Sequence, residues 1–175
     1  MRGATLQRWL MLLGTLVTCP GSAVAQEQPQ RTTATYEDWT LRCDLKPGPP
    51  PQKTCQISQS ARLQSQANPV TQIAIGRVAK GQALKMVVQV PINVWLPAGV
   101  KAVFDDKEPG LDMTFKRCTP SGCLADLDIG DDVITKLRNA TANGKLQFKD
   151  GTQKDVAVPI SFKGFGQAFD ALSKE

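Results

Sequence analysis

The chain has 175 residues, of which 21 are Lys or Arg and 16 are Asp or Glu, so its formal net charge is +5. It contains no histidine. This excludes Ser-His-Asp and Cys-His catalytic sites and removes the commonest general base and zinc ligand. The positive charges are scattered and never form a run of five, so no nucleic-acid partner is indicated. The length suits one domain with a sizeable core.

The first 25 residues are predicted to be a secretory signal peptide. A positively charged start and a short apolar run precede Ala23-Val24-Ala25, a small-x-small cleavage site, and the apolar run is too short to span a bilayer. An alternative interpretation makes Cys19 a lipidated residue, although the flanking Thr and Pro fit a lipoprotein signal poorly. Residues 26–35 are then a polar, flexible lead-in, and residues 36–175 form a single domain without a transmembrane segment.

The folded part shows short stretches in which apolar and polar residues alternate, with turn signals every 8–12 residues, which is typical of an antiparallel β-sandwich. Trp39 and Phe115 are assigned to its core. The predicted strands cover residues 39–45, 54–63, 70–79 and 83–91, an extended piece and strand within 94–104, a hairpin within 111–129 and a final hairpin within 145–162.

Two short helices are predicted towards the end of the chain. The first begins after Asp131, a plausible N-cap, and continues at helical spacing to Ala140. The second covers residues 164–172, and its apolar residues at helical spacing indicate a short amphipathic helix that plugs one end of the core. Those apolar residues are Phe165, Ala168, Phe169 and Leu172.

Four cysteines remain after signal cleavage, an even number in an exported chain, and two disulfides are therefore predicted. Four cysteines permit three pairings. Local geometry favours Cys43 with Cys55, because both face the same way on neighbouring strands, and Cys118 with Cys123, which flank a tight turn. The spacings do not match the paired short knuckles of an all-cysteine zinc site, so no metal and no cofactor is predicted.

The turn between Cys118 and Cys123 contains Pro120 and Gly122 at positions that suit a type I turn. Four residues separate the two cysteines, whereas reactive redox pairs usually have two residues between them. A structural bridge is therefore the preferred interpretation. A thiol-active periplasmic protein that uses this pair remains the alternative.

Two acidic segments invite functional interpretations. Residues 126–132 resemble a calcium loop but lack the EF-hand ligand pattern, so we interpret them as the wet face of a strand and the start of a helix. Asp105, Asp106 and Glu108 would support a carboxylate enzyme only if they converged in a pocket. We predict that the protein is not an enzyme.

Trp95 stands beside a Pro/Gly corner, between Val94 and Leu96, so strand alternation can point it outward, although a tryptophan in such a position more often belongs to the core. If it is exposed next to Lys85 and Lys101, it forms a recognition patch. The turn residues Pro120 and Ser121 are further candidates for contact with a partner, since a disulfide holds their loop.

Five sequence segments occur together in one order: WTLRC at 39–43, CQISQ at 55–59, LPAGV at 96–100, FKRCTPSGC at 115–123 and GF at 164–165. In this order and spacing the chain resembles the invasion-associated locus B family of proteobacterial exported proteins. The resemblance covers nearly the whole mature chain.

The resemblance implies a single immunoglobulin-like β-sandwich. It also implies that the protein lies in the periplasm, where it can be associated with the outer membrane, or that it is secreted. The family has no established catalytic residues and no established cofactor, so the resemblance implies none for this chain. We therefore expect a disulfide-stabilised envelope protein that binds a protein or cell-surface partner, with a role in host-cell invasion if it comes from a pathogen.

Overall fold

The computed structural model describes residues 30–61, 71–79, 81–105 and 107–175. The predicted signal peptide lies outside these residues. The described strands are β1 (Gln30–Tyr36), β2 (Trp39–Lys46), β3 (Gln52–Ala61), β4 (Thr71–Gly76), β5 (Leu84–Val90), β6 (Val100–Val103), β7 (Leu111–Thr119), β8 (Gly122–Ile129), β9 (Gly144–Lys149) and β10 (Asp155–Ile160). A 3-10 turn covers Leu96–Ala98, and the two helices are α1 (Asp131–Asn139) and α2 (Phe165–Ser173).

The alternation of apolar and polar residues along each strand determines which of its faces is buried. In β5 every second residue from Leu84 to Val90 is buried, and the residues between them are half-buried. The same period of two occurs in β4 and β9. These are the patterns of strands with one face against a core. The all-β prediction with two short helices is confirmed.

The described strands are hydrogen-bonded in one antiparallel order, β1-β2-β3-β4-β5-β8-β7-β6-β9-β10. Strand β7 is the corner of this order. Its first residues, Leu111 to Met113, pair with β6, and the residues from Thr114 onward pair with β8. A register shift between Phe115 and Arg117 interrupts the second ladder, and such bulges bend a strand and increase its twist.

Strands β2 and β3, near the start of the strand order, meet the segment after its last strand, β10, at Ser161. The buried side chain of Gln59, from β3, accepts a hydrogen bond from the Ser161 amide at 2.9 Å and donates one to the Ser161 carbonyl at 3.0 Å. The indole of Trp39, from β2, donates to the same carbonyl at 3.0 Å. The strand order therefore folds back on itself and encloses the core.

Helix α2 covers one end of this core, as predicted. Phe165 is fully buried and its ring meets Trp39 edge-on, with 5.1 Å between centroids. Gly164 is the N-cap of this helix, and its φ is +79°. A Cβ there would collide with the carbonyl of Tyr36, so this position needs glycine for both its conformation and its space.

Two predictions of local structure are wrong, and a third is confirmed only in part. Residues 30–35 do not lack secondary structure but belong to β1, which was missed because both of its faces are exposed and no burial period exists. Asp131 is not the N-cap of α1: Gly130 is, without a side-chain cap, and Asp131 is the first helical residue. Phe115 packs against the core, as predicted, but it is only partly buried, and it lies at the bulge in β7. Val70 and the predicted strand end at Leu63 lie outside the described residues.

The helices α1 and α2 contain nine residues each. Within the described ranges, no helix has the length and apolar character that crossing a membrane requires.

Both predicted disulfides are present. Cys43 and Cys55 are directly opposite each other on β2 and β3, with Cα atoms 4.1 Å apart. Cys118 and Cys123 are opposite on β7 and β8, with Cα atoms 3.9 Å apart. All four sulfurs are bonded in pairs. A zinc site made of the four cysteines would therefore require both disulfides to be reduced.

We expect the double substitution C43S/C55S to lower the free energy of unfolding by about 3 kcal/mol, because the bridge closes a loop of moderate length in the unfolded chain. Urea denaturation followed by fluorescence would measure the change. The matched double substitution C118S/C123S, which opens a shorter loop, should cost about 2 kcal/mol. An unchanged unfolding midpoint in C43S/C55S would contradict the expectation.

Candidate interaction surface at one end of the sandwich

Residues 91–99, here called the apolar loop, connect β5 to β6 and expose large apolar side chains. Ile92 is 58% exposed, Leu96 49% and Trp95 40%. Of the interpretations left open for Trp95, the structure therefore supports the exposed one. Large exposed apolar side chains that lie this close together in the chain indicate a candidate interaction site.

Backbone hydrogen bonds fix the apolar loop in place. The Trp95 amide donates to the carbonyl of Lys149 at 2.9 Å, and the Gly151 amide donates to the carbonyl of Asn93 at 2.8 Å. Asn93 has φ +67°, a left-handed conformation that asparagine tolerates better than most residues. The loop is thus tied to the β9–β10 turn, and its exposed side chains are presented from a fixed backbone.

The side chain of Asp150 stabilises the conformation of the β9–β10 turn. Its carboxylate accepts hydrogen bonds from the hydroxyl of Thr152 at 2.7 Å, from the Thr152 amide at 2.8 Å and from the Lys154 amide at 3.0 Å. These hydrogen bonds, first that of the Thr152 hydroxyl, hold the pKa of Asp150 below its ordinary value. Asp150 also forms a backbone bridge with Val94. It therefore supports the apolar loop directly.

The disulfide-closed hairpin tip lies beside the start of the apolar loop. The carbonyl of Ser121 accepts a hydrogen bond from the side chain of Gln89 at 2.8 Å. Gly122 packs so closely on the carbonyl of Val90 that a Cβ would collide with it. Val90 is the last residue of β5. Pro120 and Ser121, both exposed, therefore belong to the same end of the molecule as Trp95.

The structure does not bring the two predicted lysines together next to Trp95. Lys85 lies near the opposite end of β5, and its ammonium is 2.7 Å from Asp128 and 3.7 Å from Asp126. Its pKa is raised, chiefly by the hydrogen bond with Asp128. Lys101 lies on β6, just beyond the apolar loop, and pairs with Asp112 at 3.2 Å. Both charges are engaged on the outer face of the sheet.

The acidic segments have structural partners as well. Asp126 and Asp128 bind Lys85, in line with their interpretation as the wet face of a strand. A cleft of about 500 Å³ beside α1 includes Asp105 and Glu108 in its lining. There Glu108 pairs with Lys136 at 2.7 Å, whose pKa this contact raises, and Asp105 accepts from the amide of Lys107 at 2.9 Å. Asp106 lies outside the described residues.

Sequence reasoning missed four residues of this surface: Ile92, Asn93, Leu96 and Asp150. The first three could have been found from the composition of residues 91–98, PINVWLPA. In this segment two prolines flank apolar residues, and proline interrupts the hydrogen-bond ladder of a β-sheet, so the apolar residues between them belong to a loop. Asp150 had only the generic signal of an Asp-Gly turn.

Fold and surface together define a disulfide-stapled antiparallel β-sandwich with a fixed apolar loop at one end. The chain belongs to the invasion associated locus B (IalB) protein family, whose family model matches residues 39–173. This confirms the resemblance found in the sequence.

Individual relatives agree with this assignment. Two invasion protein B homologs from Brucella abortus, strain 2308 and biovar 1 strain 9-941, are each 28% identical to this chain over 138 residues, which cover 79% of this chain and 77% of the relative. The fold is similar to the crystal structure of invasion associated protein b from Bartonella henselae, with TM-score 0.67 and 18% identity over 82% of this chain and 95% of the other.

We expect acid to destabilise the β9–β10 turn. A carboxyl whose pKa is lower in the folded than in the unfolded state stabilises the fold above its unfolded pKa, near 3.8 for Asp150. That contribution is lost as the pH falls through the folded pKa. Thermal unfolding of D150N and the wild type at about pH 6 and about pH 2 should therefore show a wild-type advantage at the higher pH that shrinks in acid.

The substitution D112N is the matched control, since Asp112 makes one solvent-exposed ion pair of a kind that contributes little. A difference between D150N and the wild type that stays constant from about pH 6 to about pH 2 would contradict the role assigned to Asp150.

Proposed function

We propose that the protein is exported to the periplasm or outer envelope and acts there without catalysis, by binding a protein or cell-surface partner through the apolar loop. The predicted signal peptide and the two disulfides support export, because disulfides persist in oxidising compartments. The absence of histidine supports a non-enzymatic role. In a pathogen, binding of this kind would serve invasion of the host cell, the role after which the relatives are named.

The observation that carries this proposal is the fixed presentation of Ile92, Trp95 and Leu96. Tryptophan and its apolar neighbours are typical anchors of protein interfaces, since they bury a large area on binding. A fixed backbone reduces the conformational entropy that such anchors would lose on association. The neighbouring hairpin tip adds a second rigid contact element.

A site-specific cross-linking experiment tests the proposal. A photoreactive amino acid replaces Trp95 in one variant and Val78 in the matched control, and both variants are irradiated in cells that produce the protein. Val78 is 65% exposed and lies in the turn after β4. We expect a discrete adduct from position 95 that position 78 does not give.

The adduct partner is then purified and titrated against the wild type, W95A and V78A. Loss of binding in W95A, with V78A unchanged, is the expected result. If positions 95 and 78 give the same adducts, or if W95A binds as well as the wild type, the apolar loop is not the binding surface.

The second candidate function is thiol exchange by Cys118 and Cys123. The two sulfurs differ in environment, because Cys118 is exposed and Cys123 is 3% exposed. Lys116 and Arg117, both exposed, precede Cys118 directly, and neighbouring cations favour a thiolate. In the reduced protein, the Cys118 thiolate could therefore attack a partner disulfide, form a mixed disulfide and release one partner thiolate. Cys123, after losing its proton, would then attack the Cys118 sulfur, which re-forms the Cys118–Cys123 bridge and releases the second partner thiolate.

Equilibration of the protein with glutathione or dithiothreitol buffers would measure the reduction potential of this pair, with C43S/C55S used to isolate it. A redox-active pair is expected to lie above about −300 mV, where exchange with cellular thiols occurs. A potential well below that value assigns the bridge a purely structural role.

A further inference from the structure

Strand β1 is one end of the strand order and has a free edge. It pairs with β2 from Gln30↔Leu45 to Tyr36↔Trp39, and no other strand of the described residues lies on its outer side. Its residues are exposed except Tyr36, which is half-buried. Such an edge presents backbone N–H and C=O groups that can pair with a further strand.

The two ends of the strand order differ in their protection. The opposite terminal strand, β10, contains Pro159 and starts with Asp155, and proline and charged residues are common devices that block edge pairing. The chain after β10 is also tied to β3 through Ser161. By contrast, β1 has the sequence QRTTATY, without proline or acidic residues, and it is rich in Thr and Tyr, which favour strands. Its one charged residue, Arg31, pairs with Asp44 of the neighbouring strand β2 within the same chain.

We propose that two copies of this chain pair through β1, antiparallel and around a two-fold axis at Thr33. In this register Thr33 faces Thr33 of the second copy, Arg31 faces Thr35, and Thr32 faces Ala34. The contact is isologous, and each copy uses in it the edge that is unprotected among the described strands, so the assembly closes at a dimer and does not propagate. The inference does not rest on the proposed function of the apolar loop.

Charge and side-chain pairing favour a second copy as the occupant. The guanidinium of Arg31 donates to Asp44 at 2.7 Å within its own chain. The two-fold register sets it opposite a neutral threonine, and no like charges face each other. The central Thr–Thr pair is a favourable cross-strand combination. The sequence of β1 is therefore compatible with antiparallel pairing to β1 of a second copy across the two-fold axis.

Cysteine substitution tests the register. Directly opposite residues in an antiparallel pair have Cα atoms roughly 4.5–5.5 Å apart, within reach of a disulfide. Oxidation of T33C should therefore yield a covalent dimer. The matched control T35C, on the same face of the same strand, should not, because two residues 35 would be separated by about four residues of strand, roughly 13 Å.

Charge substitution at the axis tests the dimer without a covalent bond. By sedimentation velocity, the wild type should form dimers as its concentration rises, whereas T33E and T33K alone should each dissociate several-fold more readily. An equimolar mixture of T33E and T33K should restore dimers through an ion pair at the axis.

Two results would overturn the proposal. One is a wild type that stays monomeric up to several hundred micromolar, about the concentration at which weak complexes assemble. The other is equal cross-linking of T33C and T35C, which would mean that contact is random. Binding of β1 to a strand of another protein, by a chain that does not associate with itself, would also overturn the proposal.

Discussion

The structure depends most on the hydrogen bonds that meet at Ser161. Gln59 and Trp39 come from the start of the domain and Ser161 from its end, with sequence separations of 102 and 122 residues. An unpaired buried amide would be costly, so Gln59 stabilises only the arrangement in which Ser161 satisfies it. This polar contact fixes how the strand order closes, and Trp39 with Phe165 then seals the core beside it.

Closure of the strand order has consequences for the surface. It leaves β1 as an open edge, whereas β10 is tied back to β3. Local hydrogen bonds, separately, bring the apolar loop, the β9–β10 turn and the disulfide-closed hairpin tip together at one end of the molecule. The features with potential for contact therefore occupy connections and an edge, while the hydrogen-bonded strands hold them in place. Function on loops carried by a rigid scaffold is the common arrangement for such sandwiches.

Prediction from the sequence succeeded where a local pattern reports burial. The alternation in β5 and the helical spacing in α2 gave the correct structure, because one face of each element is buried. Prediction failed for β1, since its threonines are exposed on both faces and its existence depends on pairing with β2. It also grouped Lys85 with Trp95, because sequence distance does not show that Lys85 lies near the start of β5 whereas Trp95 lies beyond its end.

The sequence by itself determined the all-β class, the family and both disulfide pairings, because alternation, motif order and cysteine spacing are local properties of the chain. The tertiary structure alone decided the strand order, the burial of Gln59 and the exposure of Trp95. Each of these depends on contacts between residues far apart in sequence, such as Trp95 with Lys149. The free energy of those contacts exists only in the folded chain, so no local pattern could reveal them.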